Sequence, residues 1–204
     1  MPGLALDLAR GIGLFRSPGL SLSGSPFVIV AFEELNPAQR AQAADILHRA
    51  LAHMRSAYSP EEAVEEVAKF DDEDRAAFAA MDSDRVLGWI GVIFTYDHAW
   101  ELHPLVVDPA NQKSGVGSAL IAHLEDYARK DDVLTLYLGT DDDYGGTNLS
   151  GIDLFPDPLA KLAAIEPVKG HPFTFYRKQG FAITGVIPHG NGFGQPDIMM
   201  AKRL

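Results

Sequence analysis

Cysteine is absent from this 204-residue chain, which excludes disulfide staples, thiolate metal sites and a cysteine nucleophile. Basic residues are scarce: 17 Lys and Arg against 28 Asp and Glu give a formal net charge of -11. That balance suits neither a nucleic-acid backbone nor an anionic membrane surface; it suits a cationic partner or serves solubility. Long hydrophobic runs are missing too. The longest, Val86–Phe94, has nine residues, well short of the roughly 20 that cross a bilayer. The 7 histidines show no metal-ligand spacing, so no metal is expected. Lack of cysteine fits a reducing compartment, and a cytoplasmic location is expected.

What is present is an ordinary globular composition, 47% apolar and 22% charged, enough for one domain with a core of its own. Residues 1–26 stand apart. Twelve of these 26 are Gly, Pro or Ser, and Asp7 and Arg10 interrupt any apolar stretch. They read as a flexible extension rather than a signal peptide, ahead of a domain at 27–204. From Phe27 to Phe32 a β-rich run opens the domain. Asn36-Pro37 starts a helix that the apolar spacing carries to about Ala57, and Ser59-Pro60-Glu61-Glu62 starts another to about Phe70. Eight acids and two bases between Pro60 and Arg75 read as a solvated face. A meander of three strands follows, over 76–81, 86–96 and 100–107. Pro104 lies in the third, and the lost donor predicts a bulge or unpaired stretch there. A helix over 115–129, a strand over 133–138, a polar loop over 141–170 with a short helix near Pro158, a helix closed by Gly180 and strands over 181–187 and 197–202 complete the order. The fold class is α/β, a mixed and mostly antiparallel twisted sheet flanked by helices.

The stretch from Leu105 to Leu120, LVVDPANQKSGVGSAL, carries the chemistry. An apolar strand runs into a glycine loop that opens a helix. Unpaired backbone N–H groups and the positive helix end then converge on one point, a site for phosphate or pyrophosphate. A Walker loop is absent, and the third glycine of a dinucleotide fingerprint would fall at position 120, which is leucine. Instead the spacing is Gln112-x-x-Gly115-x-Gly117. It resembles the coenzyme A loop of the GCN5-related N-acetyltransferases, the GNAT family. Around it stand Trp100-Glu101-Leu102-His103-Pro104, Tyr137-Leu138-Gly139-Thr140-Asp141-Asp142, His171-Pro172, Phe175-Tyr176, Asn191-Gly192 and Pro196-Asp197-Ile198. Within that family the pattern resembles the aminoglycoside 6'-N-acetyltransferases of the chromosomal enterococcal type, densely from Trp100 onward and more weakly from Phe27 to Phe94.

The resemblance implies direct acetyl transfer from acetyl-CoA, as co-substrate, to a primary amine in a homodimeric enzyme. Backbone groups of Leu105, Val106 and Val107 would bind the pantetheine arm, with the Leu105 N–H facing the thioester oxygen. Gln112, Lys113, Ser114, Gly115, Val116, Gly117 and Ser118 would wrap the pyrophosphate, Lys113 adding charge or remaining solvated. Tyr176 would point at the sulfur and protonate the leaving thiolate, or serve packing alone. Glu101 is the candidate partner of the amine, and His103 a proton relay or a structural histidine. Strand alternation sets Glu101, His103 and Leu105 on one face if no bulge intervenes. Asp141, Asp142 and Asp143 suit a small polycationic substrate at the cleft mouth, or form an exposed turn. One departure is Tyr144-Gly145-Gly146, where the family pattern has a further acid. The implied activity is antibiotic-modifying; the alternatives are another small cationic amine such as a polyamine, a protein amine, or a non-catalytic acyl-CoA-binding module.

Overall fold

The computed structural model describes residues 27–204, and the expectation of an extension at 1–26 lies outside them. The chain order is β1 (Val28–Ala31), α1 (Pro37–Leu51), α2 (Pro60–Ala68), β2 (Arg75–Asp82), β3 (Arg85–Tyr96), β4 (Ala99–Val107), α3 (Val116–Lys130), β5 (Thr135–Asp141), α4 (Pro158–Ala163), α5 (Phe173–Lys178), β6 (Ala182–Ile187) and β7 (Asp197–Arg203). Seven strands form one sheet in the order β1-β2-β3-β4-β5-β7-β6. All neighbours are antiparallel except β4 and β5.

Both early helices begin as their sequence signals dictate. Asn36 Oδ1 accepts from the Gln39 N–H while Gln39 Oε1 accepts from the Asn36 N–H, and Ser59 and Glu62 exchange the same pair. α1 stops at Leu51 rather than near Ala57. Beyond it the backbone is committed elsewhere: the Ser56 N–H donates to Asp143 Oδ2 (2.7 Å), and His48 Nδ1 lies 2.8 Å from the Tyr58 carbonyl. A continued helix would use those groups internally.

The sheet has a core on each face. On one, α1 and α2 cover Ala77, Ala79, Trp89 and Val106, with Phe32, Phe70 and Trp89 in mutual contact. The indole Nε1–H of Trp89 donates to the Ala43 carbonyl at 3.0 Å, docking α1. On the other, Leu120, Ile121 and Leu124 of α3 meet Ile90, Val92, Trp100, Leu102 and Leu136, and Leu149, Leu162 and Phe173 extend this core. The acidic stretch after Pro60 is not uniformly solvated. Glu66 is buried and ringed by Lys69 (2.7 Å), His103 (3.5 Å) and Arg75 (3.8 Å).

The bulge predicted from Pro104 is present. Ile90 pairs with Leu105 and Val92 with Leu102, so Gly91 alone faces both His103 and Pro104. A Cβ on Gly91 would collide with the His103 carbonyl and the Phe70 ring. Gly91→Ala is therefore expected to lower stability by about 1–3 kcal/mol, measured by urea unfolding.

Candidate active site

Two irregularities in neighbouring strands create the site. β4 and β5 pair in parallel only at Ala99–Thr135, Trp100–Leu136 and Glu101–Tyr137. Past Glu101 they separate, leaving one edge of β4 open. Since the Asp108 N–H donates to the Leu87 carbonyl, alternation turns the N–H of Val106 toward β3 and those of Leu105 and Val107 into the gap. A cavity of about 320 Å³ occupies the separation, lined by Leu105, Val106 and Tyr176 and also by Asp141, Tyr144, His53 and Tyr58.

The bulge corrects one expectation. Trp100 and Leu102 face the α3 core, but so do Leu105 and Val107, while Val106 faces the α1–α2 core. The extra residue reverses the alternation, so Leu105 does not share a face with Glu101 and His103. His103 turns instead to α2 and its ring lies 3.5 Å from Glu66. That partner, together with Lys69, holds the Glu66 carboxyl at about 2 despite burial. Its stabilising contribution is complete above the ordinary carboxylate range and lost as pH falls toward 2.

The glycine loop is anchored at its stem. Asp108 accepts from the Ala110 N–H (3.0 Å), Arg85 (2.9 Å) and Arg49 (3.2 Å). Burial opposes ionisation of this carboxyl, but these three donors hold it below its usual range. Gln112, Lys113, Ser114 and Gly115 are exposed, whereas the Val116 side chain belongs to the core, so Val116 can serve a ligand only through its backbone. Gly115 caps α3 at φ 93°, a left-handed conformation with open space around it. Gly117 is small for another reason: a Cβ there would lie 3.3 Å from the Phe175 ring of α5. The first turn of α3 leaves the N–H groups of Val116, Gly117 and Ser118 unpaired within the helix, since Ala119 makes the first bond, to Gly115. The Ser118 hydroxyl is held by Gln179 Nε2 at 3.0 Å. Free strand edge, glycine loop and helix start together fit a pantetheine-pyrophosphate ligand. Tyr176 stands at the edge of this half, buried against Phe175 and Phe181, and burial raises its pKa.

Acids collect at the opposite half, though not the expected three. Asp141, the last residue of β5, lines the cavity and accepts from Asn191 Nδ2 at 2.5 Å. Asp142 is wholly buried; its oxygens accept from the Gly146 N–H (2.6 Å), the Thr147 N–H (2.8 Å) and the Thr147 hydroxyl (2.6 Å), so it anchors a turn rather than meeting a substrate. Asp143 is also buried, with one oxygen on the Ser56 N–H. Asp197, quoted in a motif but not proposed as a site residue, takes their place. It sits directly opposite Asp141 in the β5–β7 ladder, its carboxylate laid against the bare Cα of Gly139. Its Oδ1 is buried without a hydrogen-bond partner among the described residues. Burial, then Asp141 and Glu101, push its carboxyl up to about 6. Strand pairing alone signals this acid: it becomes visible once β7 is registered against β5. Glu101 faces the same group and lies 3.4 Å from the Tyr137 hydroxyl. Burial, with Glu66 and Asp141, raises Tyr58 on the cavity wall to about 12. The described residues hold no group of three or more His, Asp or Glu placed to bind a metal ion, and no helix among them is long and apolar enough to cross a membrane.

An open strand edge feeding a glycine-opened helix defines an acyl-CoA-dependent transferase, and the comparisons agree. The acetyltransferase (GNAT) family model matches residues 43–146. The chain belongs to this family and is an acetyltransferase that uses acetyl-CoA. Among solved structures, an aminoglycoside 6'-N-acetyltransferase complexed with coenzyme A is 39% identical, with a TM-score of 0.78, covering 86% of this chain and 96% of that one. The aminoglycoside 6'-N-acetyltransferase from Enterococcus faecium is 40% identical with a TM-score of 0.77 over the same shares. An aminoglycoside 6'-acetyltransferase of type Ii is 35% identical with a TM-score of 0.63, again over 86% and 96%. No curated protein matches.

The raised Asp197 carboxyl gives a signed expectation. The folded chain holds its proton between the unfolded value near 3.8 and about 6, so stability falls as pH rises through that window. Asp197→Asn is expected to remove that fall and to be more stable than the parent at pH 8, by roughly 1–3 kcal/mol. The difference should vanish below pH 4, as read from thermal melts across pH.

Proposed function

We propose that the chain transfers acetyl from acetyl-CoA to the 6'-amine of aminoglycosides, by direct attack with both substrates bound. The observation that carries this reading is a group of carboxylates beside the cavity. Asp141 lines the cavity, Asp197 lies opposite it in the β5–β7 ladder with an unpartnered oxygen, and Glu101 of a third strand acts on Asp197 through its charge. Such a group recognises a small polycation, and solved structures 35–40% identical are aminoglycoside acetyltransferases. Asp142 and Asp143 take no part in substrate binding in this reading.

The residues divide the work. Asp141 and Asp197 hold ammonium groups of the acceptor. Glu101 holds the reacting one and accepts its proton, directly or through water, so that a neutral amine nitrogen can attack the thioester carbon. His103, oriented by Glu66, relays that proton outward. The Leu105 N–H donates to the carbonyl oxygen as negative charge develops there. The carbon–sulfur bond then breaks, and the Tyr176 hydroxyl gives its proton to the thiolate, while the nitrogen sheds its second proton in becoming an amide and that proton, through water, restores Tyr176. A tyrosine whose pKa is raised by burial stays protonated at neutral pH and is available as that donor. Residues 112–118 fix the pyrophosphate through backbone N–H groups. The same reading includes a cytoplasmic homodimer that lowers susceptibility to aminoglycosides.

Thiol release by the purified protein tests the substrate. Turnover is expected with kanamycin A, which has a 6'-amine, and not with a matched aminoglycoside carrying a 6'-hydroxyl. Turnover with spermidine alone would replace the acceptor, and silence with every amine would overturn the reading. Tyr176→Phe is expected to lower kcat by roughly 10²-fold, with acetyl-CoA affinity by calorimetry unchanged. Unaltered kcat would remove Tyr176 from the acid role.

A further inference from the structure

His171 has no part in the chemistry above, yet it is wholly buried and both ring nitrogens meet backbone groups of fixed polarity. The Phe173 N–H, 3.2 Å from Nδ1, can only donate. The Asp141 carbonyl, 3.0 Å from Nε2, can only accept. Nδ1 must therefore be bare and Nε2 must carry the hydrogen, which fixes a neutral ring in one tautomer. Burial, which lowers the pKa of this imidazole, favours the same state.

These two bonds end on opposite halves of the site. Asp141 closes β5 and points its carboxylate into the acceptor group. Phe173 opens the six-residue α5, whose N-cap position is Pro172, a residue without a side-chain acceptor. The Phe173 N–H is one of the donors that a helix start leaves over, and the imidazole takes it. Tyr176 follows one turn later on the same helix. The ring also lies parallel to the Tyr144 ring on the cavity wall, with interplanar angle 5°.

We infer that His171 is a positioning residue that ties the acceptor carboxylate strand to the helix carrying Tyr176, so that the amine and sulfur ends of the site are set by one imidazole. The inference rests on the acetyl-transfer reading, in which Asp141 serves the amine and Tyr176 the sulfur. It makes the two ring nitrogens separable. In His171→Asn the amide oxygen can replace Nδ1 and keep the Phe173 bond, but nothing reaches Asp141. In His171→Gln the amide nitrogen can replace Nε2 and keep the Asp141 bond, but the α5 cap is lost.

Steady-state kinetics with kanamycin A, on variants shown to be folded by circular dichroism, should split accordingly. The Asn variant is expected to raise the amine KM roughly three- to tenfold with kcat near the parent value. The Gln variant is expected to lower kcat by a similar factor with the amine KM near the parent value. Parallel losses in both variants, or none in either, would overturn the inference. A readout independent of variant folding is 15N NMR of the histidine rings in the unaltered protein. His171 should show a bare Nδ1 and a protonated Nε2 from pH 6 to 8; the opposite tautomer, or an imidazolium, would overturn it. Should the unaltered protein acetylate no amine, the substrate reading falls, while the tautomer still decides whether the two bonds exist.

Discussion

The site depends on a mismatch of one residue. β3 offers Gly91 where β4 offers both His103 and Pro104. Proline cannot donate to a ladder, so the extra residue falls where pairing is already weakened, and glycine is the only residue whose side is narrow enough to face the bulge beneath Phe70. On one side of the bulge Glu101 is still registered against β5. On the other, β4 has left β5 and the N–H groups of Leu105 and Val107 face the gap. Catalysis of acyl transfer requires donors aimed at a developing oxyanion and a trough for an extended thiol arm. A complete sheet has neither, because its backbone groups are spent on one another.

Around that opening the charges are arranged by contrast. Glu66 is surrounded by cations and an imidazole and remains ionised far into acid, whereas Asp197 is surrounded by carboxylates and ionises reluctantly. The first is a settled structural anchor for His103. The second is a group whose ionised state the fold alone does not stabilise, as expected of a carboxylate whose proper partner is a ligand cation. Its location over Gly139 is permitted only by the missing Cβ. Part of the stability of the folded chain is thus given up, above about pH 6, to keep this carboxylate close to its like-charged neighbours.

Much of the fold was legible beforehand because its signals are local. Asn36-Pro37 and Ser59-Pro60-Glu61-Glu62 mark helix starts through bonds spanning three residues, and the periodicity of Leu120, Ile121 and Leu124 marks the buried side of α3. The donor half of the site was legible for the same reason: strand, glycine loop and helix are consecutive. The end of α1 was not, since the Ser56 N–H is taken by Asp143, distant in the chain, and the Tyr58 carbonyl folds back onto His48 of α1 itself.

The sequence by itself determined the family, the class of cofactor and the residues at which β4 fails to pair, since each rests on a contiguous motif or on proline chemistry. Tertiary structure decided which acids gather beside the cavity. Three successive aspartates look equivalent in a string, but the turn after β5 buries Asp142 against Thr147 and Asp143 against Ser56, leaving only Asp141 at the cavity. Asp197 joins it from 56 positions away because β7 pairs with β5 in a register that sets the two acids face to face. Which carboxylates share a field is a matter of strand order and register, and those are fixed by the packing of the whole sheet rather than by any one segment.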